Sequence, residues 1–241
     1  MNTDMPSKSL MMRLTLALLV LALVTMVGGV LGAVAQDSMR RILSFHIISQ
    51  VGYMILGLGL FTPLALAGAV FYLVHHIIVK ANLFLISGLI GKIYGHDELK
   101  DLGGLYRRSG FLAVLFLIPA FSLAGFPPLS GFWAKMILIR ASLDIHQYGI
   151  AFVAAVVGLL TVYSMTKIWT EVFWKPAPEA HEVAETVTAR SISIWMIAPV
   201  AALAMLTIII GLGAEVVFRF AFQAAEELSH PEYYVHAVLG K

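Results

Sequence analysis

Apolar segments of twenty or more residues recur along almost the whole chain, separated by short polar stretches. Such a segment crosses a bilayer as an α-helix, because a helix satisfies its own backbone polar groups in the hydrocarbon core. Hydrophobic residues make up 60% of the 241 and charged residues 12%, whereas soluble domains carry about 25% charged residues. The sequence therefore predicts an all-α, polytopic transmembrane bundle of about six spans. These spans are placed at 13–35, 42–62, 64–91, 110–140, 148–174 and 193–217.

The polar stretches divide the chain into five parts. They are an N-terminal tail at 1–12, a five-helix unit at 13–174, a linker at 175–192, the last span at 193–217 and an amphipathic tail at 218–241. A secretory signal has an apolar core of only about 7–15 residues. We therefore interpret the first apolar segment as a retained span.

Lys and Arg are unevenly distributed between the two sides that alternating spans define. They concentrate in the loops 36–41, 92–109 and 175–192. An excess of Lys and Arg marks the cytoplasmic side of a membrane protein. Both termini are therefore expected to face outward.

Three ionisable residues lie within the third predicted span, where a buried charge costs about 2.5–3.5 kcal/mol on insertion scales. His76 and Lys80 are four residues apart and so share a helix face. His75 points about 100° away from His76. Because histidine exchanges protons near neutral pH, we interpret His76 and Lys80 as neighbouring stations of a proton wire. His75 fits a relay role and a packed, hydrogen-bonded core role equally well.

Two prolines and two glycines interrupt the fourth predicted span. They are Gly125, Pro127, Pro128 and Gly131. Prolines remove backbone donors, so carbonyl groups upstream are left unpaired, which a membrane tolerates only where the break faces protein or a watery cavity. Discontinuous helices build ion sites in many transporters. Lys135 follows Gly131 by about one turn and is predicted to point at the break; a simple kink with a snorkelling lysine is the alternative.

The second predicted span carries a milder polar set. His46 and Gln50 are four residues apart, as are Ser49 and Tyr53, so each pair shares a face. These side chains fit a water path between stations, and they equally fit helix-to-helix hydrogen bonding. Two further four-residue pairs are predicted to be interfacial ion pairs, Lys167 with Glu171 and Glu215 with Arg219.

Several classes of function find no support in the sequence. Cysteine is absent, which excludes disulfides and thiolate metal sites. There is no glycine-rich phosphate loop, and the histidines lack a carboxylate-rich metal pattern. The net charge of +2 and the scattered basic residues do not indicate nucleic-acid binding. We therefore expect no catalytic residues, no metal and no cofactor, and transport driven by gradients.

Four segments carry a family resemblance. They read RRILSFHIISQVGYM at 40–54, HHIIVKANLFLISG at 75–88, KDLGGLY at 100–106 and AGFPPLSGFWAK at 124–135. They resemble the D-type (MrpD-like) subunit of the Mrp-type multisubunit cation/proton antiporters, whose wider family includes antiporter-like subunits of respiratory complex I and of membrane-bound hydrogenases. The resemblance implies that 13–174 is the second inverted five-helix repeat of that fold, followed by its last helix.

The resemblance also implies roles for individual residues. Lys80 matches the lysine of the family's middle proton relay, and His76 matches the histidine one turn before it. Lys135 matches the lysine of the second broken helix, on the outward proton path. The family's first repeat carries a glutamate–lysine pair for proton entry, and no counterpart is visible in this sequence.

The function expected from these patterns is proton translocation, without enzymatic activity, by a subunit of a sodium (or potassium)/proton antiporter. The expected partners are other antiporter subunits, and the expected location is a bacterial cytoplasmic membrane. One alternative is a proton-pumping membrane-arm subunit of an NADH-quinone oxidoreductase or a membrane-bound hydrogenase. Another is a truncated scaffold that conducts nothing.

Overall fold

The protein is helical throughout the part that its structure, a computed structural model, describes: residues 8–177, 193–230, 232 and 238–240. The helices are α1 (Lys8–Val34), α2 (Met39–Leu60), α3 (Pro63–Tyr94), α4 (Leu105–Arg108), α5 (Gly110–Ala124), α6 (Ser130–Asp144), α7 (Tyr148–Trp169), α8 (Ile194–Leu212) and α9 (Ala214–Ser229). A 3-10 turn at Leu99–Asp101 and a π-helical turn at Thr170–Trp174 complete the described helical segments. The prediction of an all-α, polytopic bundle is confirmed.

Among the described residues, five helical segments are long and apolar enough to cross a membrane: α1, α2, α3, α7 with its π-helical turn, and α8. The predicted span 110–140 is broken as expected and consists of two helices, α5 and α6, of 15 residues each. A helix of that length reaches only about 22 Å, less than the bilayer core of about 30 Å. Together α5 and α6 form one broken crossing, the fourth along the chain, which brings the described crossings to six.

The last span is shorter than predicted. Its helix, α8, ends at Leu212 rather than at residue 217, because the backbone leaves the helical conformation at Gly213, with φ −98° and ψ 28°. The N–H of Gly213 makes the last helical bond, to the carbonyl of Ile209 at 2.8 Å. α9 then begins at Ala214, inside the range assigned to that span. Parts of three predicted segments lie outside the described residues: 1–7 of the N-terminal tail, 178–192 of the linker, and 231, 233–237 and 241 of the C-terminal tail.

α9 is an amphipathic helix that packs against the start of α3. Phe218, Phe222 and Ala225 contact Leu66 and Ala67. The exposed face carries the predicted ion pair, Arg219 Nη2 to Glu215 Oε1 at 2.5 Å, which is confirmed. Such a helix, with one apolar and one charged face, is typical of the membrane–water interface.

α1 and α2 form a closely packed pair. A Cβ on Gly29 would lie 2.7 Å from the Cα of Ser49, and one on Gly52 would lie 2.7 Å from the backbone N of Met26. Small residues allow helices in membranes to approach each other in this way. Ser49 donates its hydroxyl to the Met26 carbonyl at 2.9 Å, so in the structure it bonds helix to helix.

The segments that follow α1, α3 and α7 meet at one end of the bundle. Leu99 donates its N–H to the Asp37 carbonyl at 2.8 Å, and Gly104 donates to the Lys175 carbonyl at 2.6 Å. Alternating spans require these three segments to share a side of the membrane. The structure therefore agrees with the order of crossings on which the charge argument depends.

The predicted pairing of Lys167 with Glu171 is wrong. Lys167 Nζ instead donates to the Gln36 carbonyl at 2.8 Å and to Asp37 Oδ1 at 2.9 Å. Glu171 pairs with Lys175 at 3.1 Å. The unpaired carbonyl groups near the C-terminal end of a helix carry partial negative charge, so the end of α1 and Asp37 together attract the ammonium group.

Candidate functional site

The broken crossing leaves two carbonyl groups without backbone donors. In a continuous helix the carbonyls of Leu123 and Ala124 would accept from the N–H groups of residues 127 and 128. Both of those residues are proline and have no N–H. Lys135 Nζ takes their place and donates to the Leu123 carbonyl at 2.8 Å and to the Ala124 carbonyl at 3.1 Å. One buried amine therefore replaces two missing backbone donors.

Glycine shapes the two sides of this break. Gly125 ends α5 in the left-handed region at φ 97°, which glycine adopts without a steric penalty. Gly131 lies in the first turn of α6, outside the break itself. A Cβ on Gly131 would collide with the Ser122 carbonyl and lie 2.8 Å from the Cε1 of His75. Glycine at 131 therefore allows α6 to approach α5 and α3 together.

Lys135 is buried between the break, α2 and α7. Its Nζ lies 5.3 Å from the ring centroid of Tyr53, whose hydroxyl donates to the Ala154 carbonyl at 2.5 Å. A cavity of about 330 Å³ lies beside it, and its lining includes Gly125, Pro127, Met136 and Gly158. An ammonium group is stabilised here by two carbonyls and a ring face. A neutral amine can keep both hydrogen bonds, so the group can gain or lose a proton without repacking.

Lys80 and His76 share the buried face of α3 that the sequence predicts. Lys80 is 5% exposed, and its Nζ donates to the carbonyl of Leu43 in α2 at 2.9 Å. His76 is 6% exposed, and its Nε2 has no hydrogen-bond partner in the described part of the protein. The two residues are four apart on α3, which places their side chains on one face of the helix. They are therefore adjacent buried groups.

His46 of α2 is a buried histidine that bonds to α7. Its Nε2 lies 2.5 Å from the hydroxyl of Ser164 in α7, and that hydroxyl donates to the Thr161 carbonyl at 3.1 Å. The ring is fully buried, and its Nδ1 has no partner among the described residues. His46 is thus a titratable side chain shielded from solvent and joined to α7.

His75 belongs to a separate hydrogen-bonded group at the break. Its Nδ1 lies 2.8 Å from the hydroxyl of Ser130, which lies 3.1 Å from the hydroxyl of Ser122. Its ring meets Tyr72 edge-on, with centroids 5.7 Å apart. Tyr72 in turn donates its hydroxyl to Gln50 Oε1. His75 is therefore a packed core residue that also contacts both halves of the broken helix.

The last span, α8, packs against the break. The indole Nε1 of Trp133 in α6 donates to the carbonyl of Gly211 in α8 at 2.9 Å. A Cβ on Gly211 would lie 2.8 Å from both the Cα of Leu129 and the backbone N of Ser130. The backbone of α8 therefore rests directly on the start of α6.

Several buried polar atoms around the lysines have no protein partner in the described part of the chain. They are His46 Nδ1, Gln50 Nε2, His75 Nε2 and His76 Nε2. Buried polar groups without protein partners are usually hydrogen-bonded to internal water. Water at such atoms can join side chains that do not touch. The buried histidines and lysines of the site therefore lie among polar atoms that are able to bond water.

The sequence did not indicate three of the contributing residues: Tyr72, Ser122 and Ser164. Tyr72 precedes His75 by three residues on α3, and Ser122 precedes Gly125 by three residues on α5. Because residues three apart share a helix face, this spacing could have indicated both Tyr72 and Ser122 as members of the site. Ser164 comes from a helix on the other side of the site, and no local pattern points to it. Within the described ranges, no group of three or more histidines and carboxylates could hold a metal ion.

Comparisons with known proteins agree with this fold. A family model described as NADH:quinone oxidoreductase/Mrp antiporter, TM matches residues 4–162. The D-type Na(+)/H(+) antiporter subunit of Alkalihalophilus pseudofirmus is 48% identical over 222 residues, which are 92% of this chain and 44% of the relative. A chain in the structure of the Mrp complex from Dietzia sp. DQ12-45-1b has a TM-score of 0.86 at 39% identity, covering 94% of this chain and 49% of that one. A chain of respiratory complex I from Thermus thermophilus has a TM-score of 0.66 at 26% identity, covering 84% of this chain and 44% of that one.

This chain spans less than half the length of each of these relatives. The resemblance to the D-type subunit of Mrp antiporters is confirmed by the identity and by the superposition. The family model covers the first five predicted crossings up to the middle of α7. The chain is therefore a multi-pass membrane protein that belongs to the NADH:quinone oxidoreductase/Mrp antiporter transmembrane family.

Proposed function

We propose that this chain is the proton-translocating part of a subunit of a multisubunit sodium (or potassium)/proton antiporter. One observation carries the proposal: Lys135 is buried at a broken helix with its amine bonded to the Leu123 and Ala124 carbonyls. A buried amine in a membrane span is a functional site by default. A broken helix is how many transporters build such a site. The related protein of Alkalihalophilus pseudofirmus bears the name Na(+)/H(+) antiporter.

The proposed path has three main stations, His76, Lys80 and Lys135. His46, a buried histidine of α2 bonded to Ser164, is a further group that accepts or donates a proton as the amines change charge. Gln50, Tyr53 and His75 line the path with polar or aromatic groups, and Ser49 lies beside it. Two like charges in a medium of low dielectric repel each other strongly. A proton on Lys80 therefore favours the release of a proton from Lys135.

The proposed setting is a bacterial cytoplasmic membrane with both termini outside and other antiporter subunits as partners. The loops rich in Lys and Arg support this orientation, because these residues mark the cytoplasmic side. The reaction is vectorial proton transfer, so the chain acts as a transporter subunit rather than an enzyme. We extend the antiporter function from the relatives to this chain, which spans less than half of their length.

A redox-driven pump is the second candidate. The likeness to a chain of respiratory complex I favours it, at 26% identity and a TM-score of 0.66. The Mrp complex chain is more similar on both measures, at 39% and 0.86. Proton movement that needs a quinone and a reductant, and is indifferent to sodium and potassium, would identify the pump.

The test is sodium- and potassium-dependent proton movement in inverted vesicles that contain the complete set of partner subunits. We expect Lys135→Ala to abolish antiport at normal membrane levels. The matched control is Lys167→Ala, since the Lys167 amine also donates to a backbone carbonyl but lies at the end of the bundle. Wild-type antiport in Lys135→Ala would show that Lys135 is a packing residue. Intact antiport in a variant lacking both Lys80 and Lys135 would indicate a scaffold.

A further inference from the structure

We propose that the hydroxyl groups of Ser122 and Ser130 carry the proton across the helix break, from His75 towards Lys135. This inference rests on the proposed function and adds a step to it. The two serines lie on opposite sides of the break, at positions 122 in α5 and 130 in α6. They supply the hydroxyl groups that connect α3 to both halves of the broken crossing.

The hydrogen bonds form a continuous chain. His75 Nδ1 lies 2.8 Å from Ser130 Oγ, and Ser130 Oγ lies 3.1 Å from Ser122 Oγ. The N–H of Gly131 donates to Ser122 Oγ at 3.2 Å and fixes its position. All three side chains are at most 1% exposed. The chain is therefore shielded from bulk solvent and from lipid.

These serines differ from an ordinary buried serine in a helix. Such a hydroxyl usually bonds the carbonyl four residues earlier, as Ser142 of α6 does with Leu138 at 2.9 Å. Ser122 and Ser130 bond each other instead, and Ser130 also bonds His75. A hydroxyl group is both a donor and an acceptor, so it can receive one proton while it releases another.

The proposed transfer conserves protons at every atom. Neutral His75 carries its proton on Nδ1 and accepts a second one at Nε2, which has no partner in the described part of the chain. It then gives the Nδ1 proton to Ser130, Ser130 gives its own hydroxyl proton to Ser122, and Ser122 gives its own to a water molecule beside Lys135. The water passes one proton to the neutral amine of Lys135, which becomes an ammonium group bonded to the Leu123 and Ala124 carbonyls. His75 is left neutral with its proton on Nε2. The next transfer therefore requires the hydroxyl groups to rotate back and His75 to return to the tautomer with its proton on Nδ1.

Gly131 makes the contact possible. A Cβ at this position would lie 2.8 Å from His75 Cε1 and would collide with the Ser122 carbonyl. Any side chain here separates the imidazole from the two hydroxyl groups. Two hydroxyl groups that served only to pack α5 against α6 would not require the His75 ring within 2.8 Å of Ser130.

The experiment measures the initial rate of sodium-dependent proton movement in inverted vesicles containing the complete complex, at matched membrane levels. Ser122→Ala removes one hydroxyl, and Ser130→Cys keeps the shape of the other side chain but provides only a weak donor. We expect each to lower the rate at least about tenfold, as expected when a proton-transfer group is lost. Ser130→Thr keeps the hydroxyl and should retain most of the activity. Ser142→Ala, a buried serine of the same helix, should transport like the wild type.

Parallel measurement of Lys135→Ala separates this inference from the proposed function. If Lys135→Ala abolishes antiport while Ser122→Ala and Ser130→Cys transport normally, the hydroxyl step is wrong and the proposed function stands. If Lys135→Ala also transports normally, the proposed function fails. Equal losses in Ser130→Thr and Ser130→Cys would show that Ser130 acts by packing and would overturn the inference.

Discussion

At the scale of single residues, Lys80 is a position where the proposed function and the stability of the fold favour different side chains. Its amine is buried in the middle of the bundle and has one protein acceptor, the carbonyl of Leu43. Removing a charged group from water without a full set of partners is unfavourable. An unbranched apolar side chain of similar length would fill the same space without that penalty. Lys80 is thus a position where selection for stability alone would not keep an amine.

We therefore expect Lys80→Met to abolish antiport while leaving the melting temperature of the purified complex unchanged or higher. The transport rate should fall at least about tenfold, because a proton station is lost. Lys92→Met is the matched control, since Lys92 is an exposed residue at the end of the same helix. A normal rate for Lys80→Met, or a large fall in its melting temperature, would contradict the assignment of Lys80 as a station.

At the scale of helices, the break depends on support from α8. Gly211 brings the backbone of α8 against Leu129 and Ser130, and Trp133 bonds its carbonyl. The start of α6 is therefore fixed by α8 as well as by its contact with His75. A larger residue at 211 must push α8 and the break apart.

Gly211→Ala is accordingly expected to lower both stability and antiport. Overpacking of this kind typically costs about 1–3 kcal/mol, which is measurable as a lower melting temperature of the purified complex. Gly149→Ala is the control, because a Cβ at Gly149 of α7 would meet no atom within 4 Å. Equal melting temperatures for the two variants would show that α8 can shift without disturbing the break.

The sequence predicts helices well and their ends less well. Apolar length alone locates the crossings, and Pro127 with Pro128 reveals the break, because both signals are local. The end of α8 at Leu212 was missed, since Gly213 lies in a stretch whose hydropathy stays high on both sides. Hydropathy measures transfer into lipid and does not register where a helix turns along the interface.

At the scale of the whole molecule, the contacts that assemble the site join distant parts of the chain. His46 and Ser164 are 118 residues apart, and Lys167 and Asp37 are 130 apart. Such pairs depend on how each helix is rotated in the bundle, which periodicity within one helix does not determine. This is why the lysines and histidines were found from the sequence, while the partners of His46 and Lys167 were not.

Orientation in the membrane can be tested because the chain has no cysteine. Tyr106 and Gln147 are exposed; Tyr106 lies in the short helix α4, between α3 and α5, and Gln147 in the turn before α7. We expect a membrane-impermeant maleimide to label Gln147→Cys in intact cells and Tyr106→Cys only in inverted vesicles. The wild-type chain, which has no thiol, is the control. Labelling of Tyr106→Cys from outside would reverse the proposed orientation.

The bond from Lys135 to the end of α5 has a mechanical consequence. Backbone N–H groups cap a helix with constant strength, because they never lose their protons under physiological conditions. The amine that replaces them at Leu123 and Ala124 caps α5 more tightly as an ammonium group than as a neutral amine. In the proposed function, the joint between α5 and α6 would therefore be stiffer with Lys135 protonated than with Lys135 neutral. The broken helix would then be a hinge whose stiffness depends on the charge of Lys135.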